Sequence, residues 1–547
     1  MKRSFVLKLI CLILTVCMIA PCVISCNKEE IVDNGNHVTT TEEPTNAPTD
    51  APTNAPTDEP TDETTEEPTE KPTDSEETTT EEPTSGEDTT TEESTSGEDV
   101  TTEENTTEEN TTEENTTEEN TTEENTTEEN TTEENTTEES TTEEKYIIEG
   151  LDVDSSKMHG NMQNIFGGDT VFFESVMFIN KGETKTLLFP IDEIIEVQSY
   201  NGRKKYVEGR DYQIVDGKLY IPETSTINVI TSKGYYNYTS SPMIFEKYNG
   251  VDVPVYWGEN ESMTQWQLRV TYKHSKTWDG FKQETYIKQY EGLIKKLIAG
   301  EDVTFIFYGD SITCGATSSW FSNVPTLDWY QTKAFFQWSY SMLFTQALAD
   351  LFGYTIDFID ASTLNTIIKA PPTDYVGGTR GTITYINTSV GGWTSKGGLD
   401  NFDKHIKPFI EKYGCDLFGV AFGMNDAGVD PVVTANNIKS IYQRAMALDS
   451  DFYGMVISTM VPNNEATNGW YGNQYLQEEK LESVVDYLNN NGIKSGLVRV
   501  TSVSQALLTR KSFRDHTGNN INHPNDFMHR IYAQTCLQAF LGYENMK

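Results

Sequence analysis

Ser311 and His523 are the two residues of this chain best suited to nucleophilic chemistry. Ser311 comes directly after the apolar run VTFIFYGD, and His523 lies in the stretch TGNNINHPNDFMHR near the end of the sequence. A serine hydroxyl is a weak nucleophile until a base removes its proton, so such a serine needs an imidazole within hydrogen-bonding distance. The pair predicts acyl transfer, with Ser311 as the nucleophile and His523 as the base.

Three short motifs follow apolar runs that we expect to be strands. Gly309-Asp310-Ser311 ends the first run, INTSVGGWTS (386–395) ends a middle one, and GMND (423–426) ends the next. In an open α/β sheet the site lies at the carboxyl ends of the strands. Each motif alone is common by chance, but three in this order, followed by His523, are specific.

The ordered set of Ser, Gly, Asn and His resembles the SGNH, or GDSL, hydrolase family over about residues 280–547. The resemblance implies an oxyanion hole made of the Ser311 backbone N–H, the Gly392 N–H and the Asn425 side-chain amide. Gly392 fits better than Gly391 because the family glycine is commonly followed by one residue and then Thr, as in GWT here. The resemblance implies no cofactor and no metal.

One position departs from the family pattern. Family members usually carry Asp three residues before the histidine, where this chain has Asn520. In another serine triad, an amide in place of the acid costs about ten-thousand-fold in rate because it holds the imidazole in the wrong tautomer. Asn520 could instead present Oδ1 to His523, or a backbone carbonyl could orient the ring and leave a Ser-His dyad. A metal site that combines His523 with His516, His529 and Asp526 is a less favoured interpretation.

The pattern between these motifs predicts the elements that must position them. YIKQYEGLIKKLIAGED has apolar residues at helical spacing, and short apolar runs such as VTFIFYG, TIDFID and FYGMVIST alternate with helix-like stretches. Alternation of this kind predicts a parallel sheet covered by helices on both faces. For residues 276–547 we expect the α/β class, as a three-layer α/β/α hydrolase domain.

Residues 146–275 follow a different pattern. Short runs rich in Val, Ile, Tyr and Phe are broken by turn signals, and Asn201-Gly202 and Asp216-Gly217 are typical of hairpins. No long amphipathic helix competes with these strands. We predict a β-sandwich of jelly-roll type that precedes the hydrolase domain.

The N-terminal segment indicates export. Residues 1–26 place basic residues around a short apolar run, as a secretory signal does. The run ends in VISC, which resembles a bacterial lipobox and implies cleavage before Cys26 and a lipid on its sulfur. We therefore expect an exported lipoprotein at a bacterial cell surface, with membrane contact through that lipid.

Residues 27–145 form a tether in this interpretation. They consist almost wholly of Thr, Glu, Pro, Asn and Ser, with seven consecutive copies of TTEEN. Such a segment cannot bury enough apolar surface to offset its chain entropy, so we expect disorder. Roughly 40 of the chain's 46 net negative charges lie there, and they describe a self-repelling spacer rather than a site for a basic partner.

Aromatic residues near the nucleophile indicate the substrate. Trp320, Trp329, Tyr330 and Trp338 follow Ser311, and Trp393 follows the oxyanion glycine. Although most of these rings are expected to pack in the protein, Trp320 and Trp393 are our candidates for contact with a sugar. The arrangement resembles carbohydrate esterases with a jelly-roll before an SGNH domain, which remove acetyl groups from polysaccharides such as xylan.

Two other function classes remain open. A lipase or lysophospholipase would need an apolar acyl groove, whereas the flanks of Ser311 are aromatic and polar. A catalytically degenerate carbohydrate-binding protein would need only the sandwich and an inactive second domain. The expected partner is an acetylated polysaccharide or oligosaccharide, with no nucleic acid, and the protein is expected to be a monomer.

Overall fold

A computed structural model describes the chain from residue 146 to residue 542. Within that range the undescribed residues are 159–161, 163, 260–261, 320–336, 362, 365–374 and 468–469. The predicted signal, Cys26 and the TTEEN repeats lie outside the described residues, and so does Trp320. Within the described part, no helix is long and apolar enough to cross a membrane.

The strands divide between two parts of the chain. The first group is β1 (Thr170–Met177), β2 (Thr184–Lys185), β3 (Glu193–Ser199), β4 (Gln213–Val215), β5 (Lys218–Tyr220), β6 (Phe245–Tyr248), β7 (Val251–Pro254) and β8 (Gln267–Lys273). The second group is β9 (Val303–Gly309), β10 (Thr355–Ile359), β11 (Tyr375–Val376), β12 (Thr382–Asn387), β13 (Leu417–Ala421), β14 (Tyr453–Ile457) and β15 (Ser495–Val498).

Almost all of the helical residues lie in the second part. The helices are α1 (Ser232–Tyr235), α2 (Ile287–Ala299), α3 (Ser311–Cys314), α4 (Tyr340–Phe352), α5 (Ser395–Asp400), α6 (Phe402–His405), α7 (Lys407–Tyr413), α8 (Pro431–Met446), α9 (Gln474–Asn490), α10 (Val500–Leu508) and α11 (Asp526–Leu541). Short 3-10 turns cover Ser155–Lys157, Ser262–Trp266 and Phe513–Asp515.

The second group of strands forms one seven-stranded sheet in the order β11-β10-β12-β9-β13-β14-β15. Every neighbouring pair is parallel except β10 with the short edge strand β11. Every residue of β9 and β13 is buried, as strands covered on both faces require. The predicted α/β architecture with a largely parallel sheet is confirmed, and β9 lies between β12 and β13.

The two faces of this sheet carry separate hydrophobic cores. Along β9, Phe305 and Phe307 pack into the core that also contains residues of α2, α4 and α11. Ile306 and Tyr308 alternate with them and pack into the core shared with α6, α7, α8 and α9. This period of two places one layer of helices on each face.

The first group of strands forms three small antiparallel sheets, in the orders β1-β8-β3, β2-β5-β4 and β6-β7. The predicted hairpin at Asp216-Gly217 joins β4 to β5, with φ of 51° and 70° as a type I′ turn requires. Asn201-Gly202 also makes a turn, closed by a hydrogen bond from the Gly202 N–H to the Ser199 carbonyl at 2.8 Å. Residues 146–275 therefore form a β-rich region, and the predicted jelly-roll arrangement is not confirmed.

β1 and β8 of this region pack against the α/β region, residues 276–542. Val176 and Tyr272 belong to the same core as Phe540 of α11. A buried ion pair joins Arg269 of β8 to Asp526 at the start of α11, with 2.5 Å between nitrogen and oxygen. The β-rich region and the α/β region therefore share one continuous core.

Candidate active site

Ser311 lies at a sharp turn from strand to helix. Only Asp310 separates it from the end of β9, and it is 9% exposed. The Asp310 carboxylate caps the first turn of α3 by accepting the Ile312 N–H at 3.0 Å. A Cβ at Gly309 would collide with the Ala421 carbonyl oxygen, so glycine permits the close approach of β9 to β13 here. The turn fixes the hydroxyl at the carboxyl edge of the sheet.

The structure brings the predicted nucleophile and base together. Ser311 Oγ lies 2.9 Å from Nε2 of His523, which is the separation that proton transfer requires. His523 lies in a tight loop in which Asn519 Oδ1 accepts the backbone N–H groups of Ile521, Asn522 and His523 at 2.9–3.0 Å. Asn519 therefore holds the loop that presents the imidazole.

Asn520 does not reach the imidazole, and the sequence-based expectation for its Oδ1 is corrected. Its φ of 66° turns the side chain toward the β-rich region. There Nδ2 donates to the Tyr235 hydroxyl at 3.0 Å and to the Tyr256 carbonyl at 2.8 Å. The backbone carbonyl of Asn520 accepts from Asn463 at 2.9 Å. Asn520 therefore links the histidine loop to the β-rich region instead of orienting the ring.

The carboxylate beside His523 comes from a part of the chain that the sequence did not indicate. Oε2 of Glu259, in the loop after β7, lies 3.2 Å from His523 Nδ1. Nδ2 of Asn519 is also close to Nδ1, at 3.1 Å, and lies 3.4 and 3.5 Å from the two Glu259 oxygens. No motif surrounds Glu259 in WGENES, so a single sequence carries no signal for it.

The surroundings of Glu259 favour its ionised form. Partial burial raises the pKa of its carboxyl, but the charge of His523 and hydrogen bonds from His523 and Asn519 outweigh that effect and lower the pKa below its usual value. The side chain is half exposed. Glu259 is therefore a carboxylate at neutral pH, and its negative charge faces the imidazole.

The predicted oxyanion donors lie on the two strands that flank β9. Gly392 follows β12 and Asn425 follows β13, so both reach the edge where Ser311 lies. Gly392 has φ of 77°, is exposed and has open space beside it, whereas the neighbouring Gly391 N–H bonds to the Cys314 thiol. Gly392 is therefore better placed than Gly391 to donate its N–H to an oxyanion.

The Asn425 amide is held in place by its neighbour. Nδ2 donates to the Trp393 carbonyl at 3.0 Å. Because a side-chain amide carries two N–H groups, this bond fixes the orientation and still leaves a donor for an oxyanion. The arrangement couples the loop after β12 to the loop after β13.

Two buried carboxylates brace these loops. Asp426 accepts both the backbone N–H and the hydroxyl of Ser395 at 2.9 Å, which ties the GMND loop to the start of α5. Burial raises the pKa of Asp426, and the bonds from Ser395 oppose that shift. Burial likewise raises the pKa of Asp310 to about 7, although hydrogen bonds from the Ile312 and Met424 backbones lower it in part.

Of the five candidate sugar-binding aromatic residues, the structure describes Trp338 and Trp393. Trp320, Trp329 and Tyr330 lie outside the described residues. Trp393 is half-buried, with its ring 4.7 Å from His405, and Trp338 stacks on Phe358 at 5.2 Å.

Sequence analysis missed a second aromatic group beside the oxyanion loop. Trp470 donates through Nε1 to the Met424 carbonyl at 3.0 Å. The next residue, Tyr471, lies parallel to Tyr475 with 5.6 Å between ring centroids, and both are exposed. These exposed rings therefore lie close in sequence to a residue that contacts the GMND loop.

The two other histidines close to His523 in the sequence lie in the protein interior. His516 and His529 are buried, and burial lowers the pKa of His516 to about 3 and that of His529 to about 4. Nε2 of His529 lies 3.2 Å from the Ala316 carbonyl. Among the described residues, no three His, Cys, Asp or Glu side chains are grouped as metal ligands.

Comparison with known proteins gives one short sequence match. Residues 39–74 match a family described as the PT disordered repeat, within the predicted tether. No curated protein matches the chain.

Several solved structures are similar to the chain. A two-domain esterase (CEX) active on acetylated mannans, co-crystallised with mannopentaose, is 16% identical over 46% of this chain and 53% of its own, with a TM-score of 0.30. A mutant of Axe2, an acetyl-xylooligosaccharide esterase from Geobacillus Stearmophilus, is 14% identical over 45% of this chain and 96% of its own, with a TM-score of 0.30.

A third structure is a member of the lipolytic protein G-D-S-L family from Veillonella parvula DSM 2008. It is 16% identical over 44% of this chain and 98% of its own, with a TM-score of 0.25. The chain spans about half the length of the two-domain esterase structures. In the order of its motifs and in their placement at the ends of neighbouring parallel strands, the chain resembles the SGNH, or GDSL, hydrolases.

Proposed function

We propose that this chain is a serine esterase of the SGNH type that removes short acyl groups, above all acetyl, from polysaccharide. The observation that carries the proposal is the 2.9 Å contact between Ser311 Oγ and His523 Nε2 at the carboxyl edge of a parallel sheet. A serine hydroxyl has no structural need of an imidazole partner, whereas a nucleophile does.

The proposed reaction begins with attack by Ser311 Oγ on the ester carbonyl carbon while its proton passes to His523 Nε2. The carbonyl electron pair moves to oxygen, and the N–H groups of Ser311, Gly392 and Asn425 stabilise that oxyanion. Each such donor contributes about 3–4 kcal/mol of transition-state stabilisation. The tetrahedral intermediate then expels the alcohol, which takes the proton from Nε2 and leaves an acyl-serine.

Water completes the reaction by attacking the acyl carbon. Its proton passes to His523 Nε2, a second oxyanion forms in the same position, and collapse returns the proton to Ser311 Oγ. The products are a carboxylic acid and the free serine. No other reactant is needed.

The polysaccharide assignment is supported by exposed aromatic surface near the oxyanion loop. Tyr471 and Tyr475 present parallel rings to solvent, and Trp470 contacts the main chain beside Asn425. Apolar ring faces of this kind stack on sugar rings, whereas a long acyl chain requires an aliphatic groove. Acetylated xylan is the first polysaccharide to test.

A bacterial cell-surface location is the second part of the proposal. VISC at the end of the predicted signal supports lipid attachment at Cys26, and residues 27–145 would act as a spacer. Metabolic labelling with a fatty-acid analogue is expected to mark the wild type and to leave Cys26→Ser unlabelled.

The catalytic proposal is tested by hydrolysis of p-nitrophenyl acetate and of esters with longer acyl chains, followed by acetate release from acetylated xylan. We expect a preference for acetate and a loss of at least about 10³-fold in kcat for Ser311→Ala, because removing the nucleophile of another serine hydrolase costs about 10⁶-fold. Thermal melting should stay unchanged. Equal activity of Ser311→Ala and wild type would exclude the acyl-enzyme route.

A further inference from the structure

We propose that Glu259 is the positioning acid for His523, so that the β-rich region supplies the third member of the catalytic triad. This inference rests on the proposed esterase function and adds a residue to its site. The family position three residues before the histidine is occupied by Asn520, which faces away from the ring. The carboxylate beside the ring is instead that of Glu259, in the loop after β7.

The argument begins with the tautomer of His523. To accept the Ser311 proton at Nε2, the neutral ring must carry its own proton on Nδ1. Nδ1 has two near neighbours, the Glu259 carboxylate at 3.2 Å and the Asn519 Nδ2 at 3.1 Å. An ionised carboxylate accepts only and selects the Nδ1–H form, whereas an NH2 group donates and selects the unreactive form. Glu259 therefore determines whether His523 can act as a base.

The loop that carries Glu259 is fastened to the histidine loop at its base. The Gly258 N–H donates to the Asn519 carbonyl at 3.2 Å, and the Met263 N–H donates to the Gly518 carbonyl at 3.1 Å. The Ser262 hydroxyl donates to the Gly258 carbonyl at 2.6 Å. The bond made by Gly258, which directly precedes Glu259, thus holds the half-exposed Glu259 side chain beside the histidine loop.

The neighbouring acids of the α/β region are engaged elsewhere. Asp526 pairs with Arg269 and accepts the Ser319 N–H, and Asp515 accepts the Met177 N–H at 2.7 Å. Asp310 caps α3. Asp310 and His529 lie close enough to His523 to interact with it electrostatically. Among the described residues, Glu259 supplies the carboxylate that lies within hydrogen-bonding distance of Nδ1.

The test compares Glu259→Gln and Glu259→Asp in the full chain on p-nitrophenyl acetate. Loss of the acid in a buried triad costs about 10⁴-fold in kcat, and since Glu259 is half exposed we expect about 10²-fold for Glu259→Gln. KM and thermal melting should stay near those of wild type, and Glu259→Asp should recover part of the rate. The acidic limb of the pH profile of kcat/KM should move to lower pH in Glu259→Gln, since the protonated base has lost a stabilising carboxylate.

Glu208→Gln is the matched control, because Glu208 is an exposed carboxylate of the same β-rich region. It should keep the wild-type rate and pH profile. If Glu259→Gln retains kcat within about threefold of wild type while Ser311→Ala is inactive, the role of Glu259 is refuted and the esterase function stands. If Ser311→Ala is as active as wild type, the esterase function itself fails.

Discussion

Asn519 binds the backbone of His523 and lies beside its ring: Oδ1 accepts the His523 N–H at 3.0 Å, and Nδ2 lies 3.1 Å from Nδ1. The same Oδ1 also accepts the N–H groups of Ile521 and Asn522. One buried amide oxygen therefore fixes the three residues that lead to the base, and its Nδ2 also lies near the Glu259 carboxylate.

Asn519→Ala is expected to lower both stability and activity. Three backbone N–H groups lose a common acceptor, and a buried donor left unsatisfied costs about 1–3 kcal/mol, so we expect a loss of roughly 2–4 kcal/mol. Denaturant unfolding measures this change, and kcat on p-nitrophenyl acetate should fall with it because the loop no longer holds the imidazole. Wild-type unfolding and kcat in Asn519→Ala would show that the loop is fixed by other contacts.

Asn520→Asp is expected to destabilise the protein without raising its rate. Asn520 is 1% exposed, and its Nδ2 donates to the Tyr256 carbonyl at 2.8 Å. A carboxylate oxygen in that place would face another oxygen, at a cost of about 2–4 kcal/mol. Denaturant unfolding and kcat, measured beside Asn520→Ala, test this. A rise in kcat would mean that residue 520 can turn to His523 as the family acid does.

The strand-end positions of the site could be predicted from sequence because they depend on local pattern. The run before Ser311 forms the fully buried strand β9, and the motifs with Gly392 and Asn425 follow its two neighbours in the sheet. Hydrophobic periodicity determines which runs become buried strands, and parallel pairing gathers their ends at one edge.

The acid beside His523 could not be predicted in this way. Its position depends on how the β-rich region packs on the α/β region, which is a long-range property without a periodic signal. The orientation of Asn520 likewise follows from its left-handed backbone, which the sequence GNNIN does not specify among its three asparagines. The packing of β1 and β8 in one core with α11 is long-range in the same sense, and the jelly-roll prediction did not include it.

The packing between the two regions gives a third prediction. Arg269 and Asp526 are each 3% exposed and lie 2.5 Å apart, so Arg269→Ala leaves a buried carboxylate without its partner. Removing one member of a buried pair costs about 3–5 kcal/mol. The matched control is Lys273→Ala on the same strand, whose ion pair with Glu193 is at the surface and should contribute little. Equal unfolding midpoints for the two variants would contradict the buried-pair assignment.

The last prediction concerns the pH dependence of stability through Asp310. Burial raises the pKa of its carboxyl from 3.8 to about 7 in the folded protein. Between these values the folded state binds more protons at this group than the unfolded state, so its contribution to stability falls as pH rises from about 4 to 7. Asp310→Asn removes the titration and keeps an acceptor for the Ile312 N–H, so the variant should lose less stability than wild type over that interval. Denaturant unfolding at pH 4.5, 5.5 and 6.5 measures the difference.

Asp252→Asn is the control. Asp252 is an exposed carboxyl whose pKa is lowered chiefly by its hydrogen bond with Lys247, so it titrates below this pH interval. Parallel stability curves for wild type and Asp310→Asn would show that Asp310 is ionised across the range and that its burial is compensated by the surrounding donors.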